Sequence, residues 1–343
     1  MLSILFKRTG KNMVSLRSLT PSLTRITIAS AVGAALHMGQ GNVELVDRKA
    51  VEFSRAVLSQ MEIDGEIISC EGPIDNAPAF ELREKVGLGT GPRLEFVMDP
   101  VDGTTATAMG GKDAISALAC APSGCLQALP DDGYYFKIAA GPEAMGRIDL
   151  NSPVESIIKE VASSKNKMLK NFTVIMLDRE RHKGILGKLR ALGVRIVLIP
   201  DGDIAGSVAT CLPETGIDLL IGAGKGPEAT IAATALKCLG GTMLVNVWRG
   251  EKHDEKRSER LKAAGVDPDK TYSQDDLAKG DQLAFVASGI TKGELLEGVR
   301  FTPRGAIVHS LCTRLPSGTM ENSVTHLRFV GHPVYEYIVR SRV

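Results

Sequence analysis

Two aspartates three residues apart, Asp99 and Asp102, sit in the run Met98-Asp99-Pro100-Val101-Asp102-Gly103-Thr104-Thr105, directly after the alternating segment Leu94-Glu95-Phe96-Val97-Met98. The alternation predicts a half-buried strand. Pro100 has no N–H to give a ladder, which predicts that the strand stops at Asp99. Gly103 permits a tight turn that brings backbone N–H groups close to a ligand. Asp99, Asp102 and the Thr104 hydroxyl are therefore expected to face one point at a strand end. Hard carboxylate and hydroxyl oxygens suit Mg²⁺ or Mn²⁺. Taken alone, D-P-x-D-G-T is equally an ordinary turn, so the weight falls on what the rest of the chain sets beside it.

The same placement recurs along the sequence. Glu71 follows the expected strand Glu66 to Cys70 and precedes Gly72-Pro73. Arg179 and Arg181 follow the strand Phe172 to Leu177, and Asp201 and Asp203 follow Val194 to Ile199. Glu228 follows Ile217 to Ile221 and opens a helix that runs from about Pro227 to Leu239, where the helix dipole favours a carboxylate with or without a metal. Asp47 lies in the first turns of a helix capped by Asn42, away from the stripe Val46, Ala50, Phe53, Val57, Met61; alone it reads as a solvated carboxylate. In open α/β sheets ligands bind outside the carboxyl ends of strands. A set of acids with no catalytic His or Cys fits metal-assisted attack of water on a phosphoryl group. Asp47, Glu71, Asp99, Asp102 and Glu228 are the candidate metal ligands. Thr104 is the candidate holder of the water, with Asp47 receiving its proton, and Arg179 and Arg181 are candidate clamps for a second anionic group. His182, beside Arg181, reads either as a member of the site or as a surface residue.

These residues need a scaffold, and the second half of the chain supplies a strand–helix–strand–helix–strand series from Phe172 to Leu239. Such a series implies a mostly parallel sheet with right-handed crossovers. The first half is richer in strands, among them Ala114 to Ala121 and Tyr135 to Ala140, after an initial pair of helices. Lys252 to Lys279 reads as charged and mostly helical, with strands at Gln282 to Ser288 and Ala306 to Arg314. The expected class is α/β (α+β), in three segments: a basic tail over 1–18, an N-terminal α+β metal-binding half over 19–168, and a C-terminal α/β substrate-binding half over 169–343.

The 343 residues carry a formal net charge of +1, which gives no electrostatic reason for nucleic acid or an anionic membrane surface as partner. The longest apolar candidate, Ile26 to Met38, is too short to span a bilayer. Six cysteines form no C-x-x-C pair and read as buried thiols in a reducing compartment. From Met1 to Asn42 there is no Asp or Glu, while Lys7, Arg8, Lys11, Arg17 and Arg25 are basic. That is the composition of an organelle transit peptide, mitochondrial or plastid, cleaved before about Ser18, with a basic tail of a cytoplasmic protein as the alternative. The glycines of Gly222-Ala223-Gly224-Lys225-Gly226-Pro227 miss a dinucleotide fingerprint by one residue and lack the acidic partner. There is no G-x-x-x-x-G-K-[ST], G-x-S-x-G or H-E-x-x-H.

With these motifs in hand the chain resembles the class II fructose-1,6-bisphosphatases, within the lithium-sensitive, metal-dependent phosphatases that include inositol monophosphatase. The resemblance runs in order through Cys70-Glu71-Gly72-Pro73-Ile74-Asp75-Asn76-Ala77-Pro78, Asp99 to Thr104, Thr107-Ala108-Met109-Gly110, Gly146 to Asn151, Arg181-His182, Pro200 to Ala205, Gly226-Pro227-Glu228 and Ser288 to Gly293. It implies a layered sugar-phosphatase fold and hydrolysis of the 1-phosphate of fructose 1,6-bisphosphate, with Mg²⁺ or Mn²⁺ as cofactor. It implies metal binding at Asp47, Glu71, Asp99, Asp102 and Glu228, a water-activating role for Thr104, and substrate contacts at Asp102, Gly103, Thr104, Tyr134, Arg179, Arg181, Asp201, Asp203 and Gly226. A homo-oligomer, dimer or tetramer, is expected on the same ground. The chain departs from the family at Val43 and Arg179 (each usually Lys), at Asp102 (usually Glu) and at Cys70 (usually Gly). These departures leave sedoheptulose 1,7-bisphosphate or an inositol phosphate as alternative substrates, and a catalytically silent sugar-phosphate-binding homologue as a further alternative.

Overall fold

The computed structural model describes residues 16–70, 80–250 and 255–336; Glu71 and the motif that continues to Pro78 lie outside them. In chain order the elements are α1 (Leu16–Ala35), α2 (Val43–Leu58), β1 (Asp64–Cys70), β2 (Lys85–Val86), β3 (Arg93–Asp102), α3 (Thr104–Ala108), β4 (Ile115–Pro122), β5 (Tyr135–Ala140), α4 (Val154–Ser164), β6 (Thr173–Leu177), α5 (Lys183–Leu192) and β7 (Arg195–Ile199). There follow α6 (Asp203–Ala209), β8 (Leu219–Gly224), α7 (Gly226–Leu239), β9 (Thr242–Val247), α8 (Glu255–Ala263), β10 (Tyr272–Ser273), α9 (Gln274–Leu277), β11 (Ala284–Gly289), β12 (Arg300–Thr302), β13 (Gly305–Arg314) and β14 (Thr319–Arg328).

Two sheets form from these strands, one in the order β12-β13-β11-β4-β3-β1-β2 with β14 on β13, the other in the order β10-β9-β5-β8-β6-β7. Helices and sheets alternate in layers. One core joins α1 and α2 to the outer face of the first sheet; a second joins its inner face to α6 and α7; a third packs α7 on the second sheet; a fourth covers that sheet's far face with α4 and α5. The composition of α7 explains its middle place. Ala229, Ile231, Ala232, Ala233, Ala235 and Leu236 are all buried, and a helix that is apolar all round belongs between two layers. The α2 stripe Val46, Ala50, Phe53, Val57, Met61 is buried, and Asn42 caps the helix by accepting from the Leu45 N–H at 2.9 Å.

The strand–helix series gives parallel β7-β6-β8 pairing. β5, from earlier in the chain, enters this sheet antiparallel between β8 and β9, while β11 to β14 return to the first sheet. Each sheet is therefore mixed and takes strands from both halves of the sequence. α4 and β9 were not foreseen from the pattern, and the charged stretch up to Lys279 is helical only in α8 and α9.

β3 also departs from expectation. It does not stop at Asp99 but runs through Pro100 to Asp102. Asp99 is opposite Ala117 on β4 while Asp102 is opposite Ile115, so three steps on β3 match two on β4. This one-residue bulge is where a strand tolerates a proline. The Pro100 carbonyl is held from behind by the Ser30 hydroxyl of α1 at 2.9 Å.

Candidate active site

The bulge decides where the acids point. In a regular strand, residues three apart face opposite sides; the extra residue restores Asp99 and Asp102 to one side. Both are buried, at 1 % and 2 % exposure. Gly103 then turns the chain at φ 107°, and a Cβ there would stand 2.9 Å from that of Ala114, so only glycine makes the turn. Thr104 follows at the start of α3, buried, its hydroxyl donating to the Val101 carbonyl at 3.0 Å. That leaves the oxygen's lone pairs as acceptors.

Glu228 arrives from the first turn of α7. Its Oε2 accepts from the Lys225 N–H at 2.8 Å and from Lys137 Nζ at 3.3 Å. Carboxylate oxygens of Asp99, Asp102 and Glu228 all lie within 4.8 Å of one another. Asp102 Oδ2 accepts from the Ile204 N–H at 3.0 Å, which ties the acids to α6. Asp203, the first residue of α6, is 3 % exposed and takes Lys137 Nζ on Oδ1 at 2.5 Å. Asp47 is 7 % exposed, so it is not the solvated carboxylate its position suggested; it lies near Lys225 and outside the group of three.

Charge in this cluster is shaped by burial and crowding. Burial, then Glu228 and Asp203, raise the Asp102 carboxyl well above the usual carboxylate range. Burial and Glu228 raise Asp203 to about 7, against the pull of Lys137. Burial raises Asp47 to about 6, with Lys225 opposing. Glu228 stays below its usual value despite burial, because Lys137 and the Lys225 N–H hold it ionised. Burial works against the Lys137 ammonium, but Asp203 and Glu228 outweigh it and hold it above the lysine range.

Lys137 was not singled out from the sequence. It is fully buried in the middle of β5, and one lysine inside an otherwise apolar run was the trace it left. Gly224 is the other omission. A Cβ there would fall 2.1 Å from Asp203 Oδ2, 2.6 Å from Glu228 Oε2 and 2.8 Å from Lys137 Nζ. The three charged groups converge over its bare Cα.

A second group lies beside the first. Arg179 approaches Asp201 at 3.5 Å. Arg181 donates from Nε and Nη2 to the Ala223 carbonyl at 2.9 and 2.6 Å, and its guanidinium lies 3.9 Å from the centre of the Tyr134 ring. Asp203 and Glu228 are near enough to act on its charge, so the cations and the acids share one rim. Gly226 packs against the Leu129 and Pro130 carbonyls, each 2.6 Å from where a Cβ would be, which by itself accounts for a glycine at that position. His182 is neither a surface residue nor a member of the site. It is 1 % exposed, its Nδ1 meets the Leu177 carbonyl at 2.8 Å and its Nε2 accepts from the Ala223 N–H at 2.8 Å. That pattern makes it a neutral brace between β6 and β8.

Two buried carboxylates and the half-buried one of Glu228 facing one point, with oxygen donors only, match the ligand chemistry of a hard dication. Their mutual repulsion is incompletely offset by Lys137, so the donor set and its charge both fit such an ion. The six cysteines are free thiols, and no described helix is long and apolar enough to cross a membrane.

A family model described as bacterial fructose-1,6-bisphosphatase, glpX-encoded, matches residues 17–326. The fructose-1,6-bisphosphatase 1 class 2 of Escherichia coli (strain K12) is 36 % identical over 314 residues, covering 89 % of this chain and 93 % of that protein. The fructose-1,6-bisphosphatase class 2 of Haemophilus influenzae is 38 % identical over 293 residues, covering 82 % of this chain and 88 % of that protein. These bacterial matches overturn the organellar expectation and leave the cytoplasmic alternative. The physical reason lies in α1. Its Leu16, Leu23, Ile26, Ile28, Ala31 and Val32 are buried in the first core, so the segment from Leu16 onward is part of the fold and its apolar residues serve packing.

Proposed function

Since the chain belongs to the bacterial, glpX-encoded class 2 fructose-1,6-bisphosphatase family, we propose that it hydrolyses the 1-phosphate of fructose 1,6-bisphosphate to give fructose 6-phosphate and phosphate. One observation carries the reading to this chain's own residues: the Asp99, Asp102 and Glu228 carboxylates meet within 4.8 Å on the rim that also presents Arg181. Mg²⁺ or Mn²⁺ held by Asp99, Asp102 and Glu228, with Glu71 and Asp47 completing the ligand set, would supply Lewis acidity and lower the pKa of water.

The remaining roles belong to the chain. Thr104, its own proton committed to Val101, accepts a hydrogen bond from the attacking water and orients it. Asp47, with its carboxyl near neutrality, receives the proton, as suits a general base working around pH 7. Water oxygen bonds to phosphorus, the bond from phosphorus to the C1 oxygen breaks, and that oxygen takes up a proton. Arg179 and Arg181 bind the phosphate that is not cleaved. Asp201, Asp203 and the backbone at Gly103 and Gly226 border the sugar. Lys137 keeps Glu228 ionised and, through its contact with Asp203, aims both carboxyls. Assembly as a dimer or tetramer rests on the family likeness and is decided by sedimentation.

The test is phosphate release, with Mg²⁺ or Mn²⁺, from fructose 1,6-bisphosphate, sedoheptulose 1,7-bisphosphate and inositol 1-phosphate. Fructose 1,6-bisphosphate is expected to be turned over fastest, with fructose 6-phosphate as product. Binding without release from any of the three would sink the reading and leave a silent homologue.

A further inference from the structure

The Tyr134 backbone is set by one guanidinium far along the chain. Arg257 on α8 donates from Nε to the Asp132 carbonyl at 2.6 Å, from Nη1 to that of Trp248 at 2.7 Å and from Nη2 to that of Tyr134 at 2.9 Å. The Tyr134 carbonyl also accepts from the Trp248 N–H at 2.9 Å. A planar fork of fixed donors can hold three carbonyls at once; an ammonium on a flexible stem cannot hold them in the same geometry. The loop so fixed carries the ring under Arg181, and its Asp131 meets Lys225 at 3.3 Å.

We propose that Arg257 is a positioning residue for the anion clamp: it fixes Asp132 to Tyr134 so that the Tyr134 ring holds Arg181 facing the uncleaved phosphate. This rests on reading Arg179 and Arg181 as that clamp. Arg181 spends Nε and Nη2 on the Ala223 carbonyl, and among the described residues its Nη1 makes no hydrogen bond. The aim of Nη1 is then set by the ring the guanidinium stacks on. A stack of this kind, part desolvated, is worth enough to change anion affinity about tenfold when it is lost.

The experiment is a calorimetric titration of fructose 6-phosphate, which carries only the uncleaved phosphate, into wild type, Arg257→Ala and Arg257→Lys without metal. Steady-state kinetics on fructose 1,6-bisphosphate run in parallel. The expected result is a Kd for fructose 6-phosphate and a KM for the bisphosphate each about tenfold higher in both variants, with kcat unchanged. Arg260→Ala removes an exposed pair with the Asp132 side chain and leaves Arg257 on the Tyr134 carbonyl, so it is expected to bind like wild type. An unchanged Kd in the Arg257 variants, a fall in kcat at constant Kd, or equal weakening by Arg260→Ala would overturn the assignment. Melting curves identify a variant that fails to fold; if Arg257→Ala does, Arg257→Lys decides. Wild type that binds fructose 6-phosphate but releases no phosphate would sink the proposed reaction and leave this inference standing. Wild type that does not bind it overturns the inference itself.

Discussion

Asp99 and Asp102 bring their carboxylates to one point because a one-residue bulge opposite Ser116 lies between them. Without it, one acid would face the metal site and the other the opposite side of the sheet. Crowding like charges in a buried place costs stability, and that cost is accepted where an ion is to be bound.

Replacing Asp99 therefore separates function from folding. Asp99→Asn removes one charge from the cluster and is expected to lower phosphate release at saturating metal by more than about a hundredfold, above the usual loss for an outer-shell partner. Its metal-free melting temperature should equal or exceed that of wild type. Full turnover by the variant would remove Asp99 from the site.

Lys137 has the opposite balance. Lys137→Met leaves Asp203 and Glu228 buried without their cation, a loss of roughly 3–5 kcal/mol in denaturant unfolding. Mn²⁺ should restore more stability to this variant than it adds to wild type, since an ion can take over the compensation. A variant as stable as wild type without metal would show that the buried ion pairs count for little.

At Gly224 a single methyl group is enough to test the crowding. Gly224→Ala puts a Cβ among Asp203, Glu228 and Lys137 and should cost about 1–3 kcal/mol while weakening Mn²⁺ binding. Wild-type Mn²⁺ affinity in the alanine variant would mean the three groups rearrange freely.

The pH dependence follows from acids that hold protons more tightly when folded. Asp47 rises from 3.8 to about 6 and Asp203 to about 7. As pH climbs past 3.8 the unfolded chain ionises first, so metal-free stability falls between about pH 4 and 7, by on the order of 1–3 kcal/mol for Asp47 alone. Glu228, held below its ordinary 4.5, acts in the other direction only at lower pH. Metal needs the ionised forms, so the rise in melting temperature caused by Mn²⁺ should be larger at pH 7.5 than at pH 5.5. Equal rises at both would contradict these shifts.

Much of the scaffold was legible where the determinants are local. The Asn42 cap and the α2 stripe, β5 and the series from β6 to α7 follow from periodicity and end signals. The acids of β3 were legible as a pair, yet by a different local reason, since a bulge and not a strand end turns them together. What escaped was what only pairing creates. Nothing near Tyr135 to Ala140 says that this strand inserts between β8 and β9, so Lys137 looked like one charge in an apolar run and not the counter-ion of Asp203 and Glu228. For the same reason His182 gave no hint that both its nitrogens are used in bracing β6 to β8. Arg257 is 123 residues from the Tyr134 carbonyl it holds, beyond any spacing rule.

The most direct measurement is Mn²⁺ titration into wild type, Asp99→Asn and Asp102→Asn at pH 7.5, followed by calorimetry. Saturable binding by wild type that is lost or weakened by at least about tenfold in each variant is expected. Equal Mn²⁺ binding by all three would contradict a shared metal site on the β3 acids.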